Sequence, residues 1–209
     1  MREYGGLWFP DDEPMTEGLR ARLDEQAVYR GDRLFEALGQ VNDWFRAVEC
    51  GAHVGMWTRV LADRFERVIA IEPDATNVEC LRANTAHAAN VSVHHAALGE
   101  IDGRASIAWR KGHMSAHVVK DGAEVPMMRL DALRIERCGY LKVHVNGYEW
   151  PVLRGAVDTI RRCRPVLTVV FKKALERYGY TGGEMLAWIL AQGYRPAHGQ
   201  DPYKVFVPA

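Results

Sequence analysis

Two carboxylates and a glycine turn set the chemistry open to this chain. Val48-Glu49-Cys50-Gly51-Ala52-His53-Val54-Gly55 lies between an apolar run and an amphipathic one, and the next apolar run closes on Ala70-Ile71-Glu72-Pro73-Asp74. Glycines let a backbone approach a ligand closely, and a helix N-terminus offers N–H groups to it. Glu72 follows Gly51 by 21 residues, near the roughly 20 at which an acid takes a ribose diol. The turn reads G-x-x-x-G rather than the G-x-G-x-x-G of a dinucleotide fingerprint. Glu49, just before the turn, would repel a pyrophosphate and attract an ammonium group. A nucleoside with an ammonium and no phosphate suits both acids, which favours S-adenosylmethionine (SAM) over NAD. A bare tight turn beside a surface glutamate is the plain alternative.

These residues need elements to hold them. FRAVEC (45–50), RVIAIE (67–72), VSVHHAAL (91–98), YLKVHV (140–145), PVLTVVF (165–171) and YKVFVP (203–208) read as strands, most of them apolar throughout. Amphipathic stretches follow Gly55, open at Pro73-Asp74 and run through WPVLRGAVDTIRR (150–162) and Thr181 to Gln192. Pro151 fits a first helical turn, where its missing N–H costs little. Strands of this kind alternating with helices predict an α/β fold, a mostly parallel sheet covered on both faces. Residues 1–15 look irregular, and helical spacing from Thr16 to Leu38 predicts a helical N-terminal cap over 1–43. The main domain then covers 44–209, with a hairpin or loop insert at 99–128.

The order of motifs resembles the FkbM family of SAM-dependent methyltransferases. The family pattern runs V-D-V-G-A-N-I-G, A-F-E-P, A-L-G-x-x-x-G, I-K-I-D-V-E-G-x-E-x-x-V-L-x-G-A and R-P-V-I-x-x-E. This chain has VECGAHVG (48–55), AIEPD (70–74), AALGEIDG (96–103), LKVHVNGYEWPVLRGA (141–156) and RPVLTVVF (164–171). The resemblance implies a class I methyltransferase: a Rossmann-like, seven-stranded, mostly parallel sheet with an antiparallel last strand. It implies SAM as cofactor, its methionine end held by Glu49, Gly51, His53 and Gly55. Glu72 would take the ribose, with Asp74 and Asn77 nearby, and Ala97 and Leu98 would line the adenine.

The chain departs from the pattern on the acceptor side. His144 and Asn146 stand where the family has Asp and Glu, and Phe171 replaces a later Glu. Without those carboxylates a hard, oxygen-ligated metal loses its ligands, so no metal is expected. An unperturbed imidazole would suit His144 as a general base at neutral pH; it could also position a substrate, or be a tolerated replacement at a site that no longer catalyses. Glu149, retained from the family's G-x-E, could orient His144, bind its loop's backbone, or serve the helix dipole. His113 and His117 lie in the insert, either in a loop over an acceptor pocket or in an ordinary solvated loop. Lys172 and Lys173 follow the strand at the ligand face. With Asn146, His113 and His117, Lys172 is a candidate acceptor ligand, and an anionic acceptor would fit it.

Composition bounds the rest. The chain has 209 residues, 48% of them hydrophobic, with Lys+Arg and Asp+Glu both at 27. Zero net charge argues against an extensive nucleic-acid surface. No apolar run approaches the ~20 residues that span a bilayer, and Met1-Arg-Glu-Tyr-Gly-Gly lacks the apolar core of a signal peptide. The four cysteines have no C-x-x-C spacing, so a cytoplasmic protein with reduced thiols is expected. The sequence thus predicts O-methylation of a hydroxyl on a sugar- or nucleotide-like small molecule. The competing readings are an FkbM-fold protein that binds SAM or a nucleotide without methyl transfer, and one that acts on a modified nucleic-acid component. The cap could cover the acceptor site or form a homodimer contact.

Overall fold

The computed structural model describes residues 1–12, 28–109, 116–198 and 202–209. In chain order these form β1 (Arg2–Tyr4), β2 (Leu7–Phe9), α1 (Gly31–Leu38), β3 (Arg46–Cys50), α2 (Met56–Ala62), β4 (Arg67–Glu72) and α3 (Ala75–Asn84). There follow β5 (Val91–His95), β6 (Ala97–Leu98), β7 (Gly103–Ala108), β8 (His117–Val119), β9 (Ala123–Met128), β10 (Tyr140–Val143), α4 (Glu149–Arg154) and α5 (Val157–Cys163). The chain ends with β11 (Val166–Val170), α6 (Gly182–Ala191), β12 (Tyr194–His198) and β13 (Tyr203–Pro208), and 3-10 turns span Leu130–Leu133 and Lys173–Tyr178.

The main sheet has seven strands in the order β12-β13-β11-β10-β3-β4-β5. Pairings from β11 through β5 are parallel, and β13 pairs antiparallel with both β11 and β12. Successive strand residues point to opposite layers. Val48, Leu141 and Leu167 pack with Leu153, Ile160 and Ile189 on one side. Ala47, Tyr140 and Val166 pack with Leu34, Trp57 and Leu61 on the other. Two buried faces explain why these strands read as unbroken apolar runs. The chain leaves the sheet centre outward through β4 and β5, then returns to β10 beside β3. That reversal opens a crevice at the carboxyl ends of β3 and β10, where open α/β sheets bind ligands.

Three local differences from the sequence reading have physical causes. Residues 2–9 form an antiparallel hairpin rather than an irregular segment, because Leu7 and Phe9 are fully buried against Val54, Met56 and Cys80. Of the helix expected from Thr16 onward, α1 is present, and residues 16–27 lie outside the described ones. The expected single helix over 150–162 is two. Asp131, from the preceding 3-10 turn, accepts from the N–H groups of Asp158 at 3.0 Å and Thr159 at 2.8 Å, giving α5 an N-terminal cap from a distant residue. The insert is a four-stranded sheet, β6-β9-β7-β8. Among the described residues no helix is long and apolar enough to cross a membrane.

Candidate functional site

One cavity lies at the crevice between β3 and β10, and the small sheet covers it with Ile107, His117 and Val118. Its floor depends on Gly51. This residue has φ +79°, and a Cβ there would come within 1.9 Å of the His144 carbonyl oxygen. The ends of β3 and β10 are drawn together by the His144 N–H donating to the Cys50 carbonyl at 3.0 Å. Only a residue without a side chain allows that approach.

At one end of the cavity stands Glu72. Its Oε2 accepts the His53 N–H at 2.9 Å, and its Oε1 accepts the Asp74 N–H at 3.1 Å and the Asn77 amide at 3.3 Å. Burial pushes its carboxyl up to about 7, against those hydrogen bonds. Ala96, Ala97 and Leu98 form an apolar wall beside it. Glu49 and Lys142 stand side by side on adjacent strands, where β3 and β10 pair in register. Lys142 Nζ donates to Glu49 Oε1 and to the Gly51 carbonyl, both at 2.8 Å, and Thr58 donates to Glu49 Oε2 at 2.6 Å. The Lys142 ammonium also lies 5.1 Å from the Trp57 ring centroid.

At the other end His144, Asn146, Lys172 and Tyr203 face the cavity. Lys172 Nζ lies 3.0 Å from His144 Nε2, and the Tyr203 hydroxyl 3.4 Å from Nδ1. Burial first, and then the cations Lys172 and Lys142, hold the His144 imidazole well below its usual range. Of the three readings of His144, this environment counts against the general base, because an imidazole held so low is a weak proton acceptor. Asn146 donates its amide to the Ala116 carbonyl at 2.9 Å, tying this loop to the covering sheet.

A family model for the FkbM methyltransferase domain matches residues 49–196. The chain belongs to the FkbM methyltransferase family. Among solved structures, an FkbM methyltransferase from Methylobacillus flagellatus KT is similar with a TM-score of 0.57 and 21% identity, over 79% of this chain and 43% of that one. This chain thus spans less than half the length of that relative. A precorrin 8w decarboxylase from Methanobacterium thermoautotrophicum matches over 100% of both chains, with a TM-score of 0.54 and 14% identity. The N-methyltransferase NodS from Bradyrhizobium japonicum, in complex with S-adenosyl-L-homocysteine (SAH), matches with a TM-score of 0.50 and 13% identity, over 91% of this chain and 95% of that one. At these identities the likeness speaks for the fold. No curated protein matches the chain.

Within this FkbM domain Glu49, Gly51, His53, Glu72, Asn77, Ala97, Leu98, His117, His144, Asn146 and Lys172 meet at the one cavity. Three other candidates do not line it. Gly55 opens α2, and a Cβ there would sit 2.6 Å from Leu81 Cδ1, so it serves packing between helices. Asp74 is the N-cap of α3, accepting the Asn77 N–H at 2.8 Å. Glu149 accepts the Val145 N–H at 3.0 Å; burial raises its carboxyl, and backbone N–H groups of its own loop, then the Lys172 charge, oppose the rise. Of the alternatives for Glu149, both the loop backbone and the helix N-terminus are observed, since it accepts from Val145 and lies in the first turn of α4. His113 lies outside the described residues. Phe171, in place of the family's acid, packs 6.0 Å from Phe206, ring to ring. The sequence reading missed Lys142, Thr58 and Tyr203. Lys142 had a signal: it is the lone charged residue inside an apolar strand, in register with Glu49.

Proposed function

We propose that the protein is a SAM-dependent methyltransferase that methylates a hydroxyl of a sugar- or nucleotide-like small molecule. The observation that carries this reading is the grouping of Glu72, its apolar wall and the Glu49–Lys142 pair along one cavity. The residues fit SAM part by part. Glu72 is an acceptor for ribose hydroxyls, and Ala97 and Leu98 offer an adenine a flat apolar surface. Glu49 and Lys142 present an anion and a cation together, which complements an amino-acid zwitterion. SAM, when bound, supplies a methyl group on a sulfonium centre. The chain's part is to bind, orient and enclose, and positioning alone can supply much of a transfer rate. The covering sheet, pinned by Asn146 to Ala116 and by the Tyr178 hydroxyl to the Val118 carbonyl at 3.0 Å, would keep water out.

Calorimetry with SAH tests the binding. The wild-type chain is expected to bind it, and Glu72→Gln to weaken it about tenfold by loss of a charged acceptor, worth ~1.5 kcal/mol or more. Absence of SAH binding sinks the reading. Turnover of methyl-labelled SAM with hydroxylated acceptors then separates transfer from binding alone. The neutral, cation-bound His144 is what keeps the binding-only alternative in play.

A further inference from the structure

The Glu49–Lys142 end of the cavity is short of donors for a carboxylate. Lys142 Nζ already donates to Glu49 Oε1 and to the Gly51 carbonyl, both at 2.8 Å, which leaves one N–H of the ammonium for an incoming anion. The Thr58 hydroxyl and the His53 N–H are spent on Glu49 and Glu72. An amino-acid carboxylate has two oxygens and can accept several hydrogen bonds, so a second donor is wanted beside Lys142.

Tyr29 stands at that place. It lines the same cavity together with Met56 and Trp57. Its carbonyl accepts the Trp57 indole N–H, and the Lys142 ammonium lies 5.1 Å from the centroid of that same indole. Its side chain packs against the cluster of Leu7, Phe9, Val54 and Met56. Arg30 then turns the chain into α1, its φ at +54° and its carbonyl accepting the Arg33 N–H at 3.0 Å. The backbone at Tyr29 is thus held from both Trp57 and α1. The Tyr29 hydroxyl has no hydrogen-bond partner among the described residues and is not shut inside them.

We propose that the Tyr29 hydroxyl donates a hydrogen bond to the carboxylate at the amino-acid end of the cofactor, beside Lys142. Tyr29 precedes the family match, which begins at residue 49, so a residue outside the FkbM domain completes the cofactor site. The inference deepens the methyltransferase reading and rests on it.

Calorimetry on the full chain with SAH and with methylthioadenosine tests it. Methylthioadenosine has the adenosine and the sulfur and lacks the amino-acid end. Tyr29→Phe removes the hydroxyl and keeps the ring and the carbonyl that hold the segment. It is expected to weaken SAH binding about tenfold, the scale of a lost hydrogen bond to a charged group. Affinity for methylthioadenosine and the thermal midpoint should stay at their wild-type values. Unchanged SAH affinity in Tyr29→Phe overturns the inference, because the hydroxyl then touches no part of SAH. An equal loss for both ligands also overturns it, because the residue then acts through packing. Either result with SAH bound by the wild type leaves the methyltransferase reading standing. A wild-type chain that does not bind SAH brings down both.

Discussion

Glu72 couples the site to pH. Its carboxyl is pushed up to about 7 by burial, so it loses its proton only as the pH passes through neutrality. The ionised form is the better acceptor for ribose hydroxyls. Affinity for SAH should therefore rise as pH rises through about 7 and level off above it. By linkage, a site that requires the ionised form binds about tenfold more weakly at pH 6 than at pH 8. Calorimetry at the two values checks this, and Glu72→Gln should flatten the difference; a profile that falls with rising pH would show that the protonated acid is the binding form. Lys142 carries a separate expectation. Its side chain and that of Glu49 are 7% and 1% exposed, and removing one partner of a buried pair costs about 3–5 kcal/mol. Lys142→Met should lower the urea-unfolding free energy by that much. Lys142→Met combined with Glu49→Leu should lose less, since no charge is then left alone; equal losses would mean the pair is not the cause.

At the scale of elements, Asp131 shows how a distant residue decides local structure. It caps α5 through the N–H groups of Asp158 and Thr159 and accepts from the Thr159 hydroxyl at 2.7 Å. Asp131→Ala should destabilise the protein by about 1–2 kcal/mol, the usual range for a lost cap. SAH affinity should hold, because α5 does not touch the cavity; chemical denaturation and calorimetry on one sample check both halves. The sequence showed 150–162 as a single periodic run because a cap contributed from elsewhere in the chain leaves no trace in that window. The strands were legible for the opposite reason: burial on both faces writes itself as unbroken apolar runs such as RVIAIE and YKVFVP. In the small sheet β8 and β9 were not, since Val118-Val119 and Val125 alone do not distinguish a hairpin from a loop. In the site, motif spacing located Gly51, Glu72 and His144. The shift of His144 escaped it, because that shift comes first from burial and then from Lys172 and Lys142, and the burial and Lys172 reach the imidazole only when β10 and β11 pair.

For the whole molecule, the question is whether the segment before the family match belongs to the methyltransferase unit. The match begins at residue 49, yet the hairpin ahead of it buries Leu7 and Phe9 completely. The Asn84 side chain stitches it down, accepting the Trp8 N–H at 2.7 Å and donating to the carbonyls of Trp8 at 2.9 Å and Val54 at 2.7 Å. Val54 and Met56 flank the start of α2, which carries Thr58 to Glu49. Tyr29 lines the cavity and accepts from the Trp57 indole. The N-terminal segment is thus packed into the layer that shapes the Glu49 end of the cavity. Phe9→Ala should cost about 3–5 kcal/mol, the range for emptying a buried aromatic site. It should shift one cooperative unfolding transition downward rather than split it, and it should weaken SAH binding through the displaced α2. Trp8→Ala, at a side chain 39% exposed, should change stability by about 0.5 kcal/mol or less with affinity intact. A thermal scan showing two transitions in Phe9→Ala, or unchanged SAH affinity, would mean that the hairpin is an appendage and that the site is complete without it.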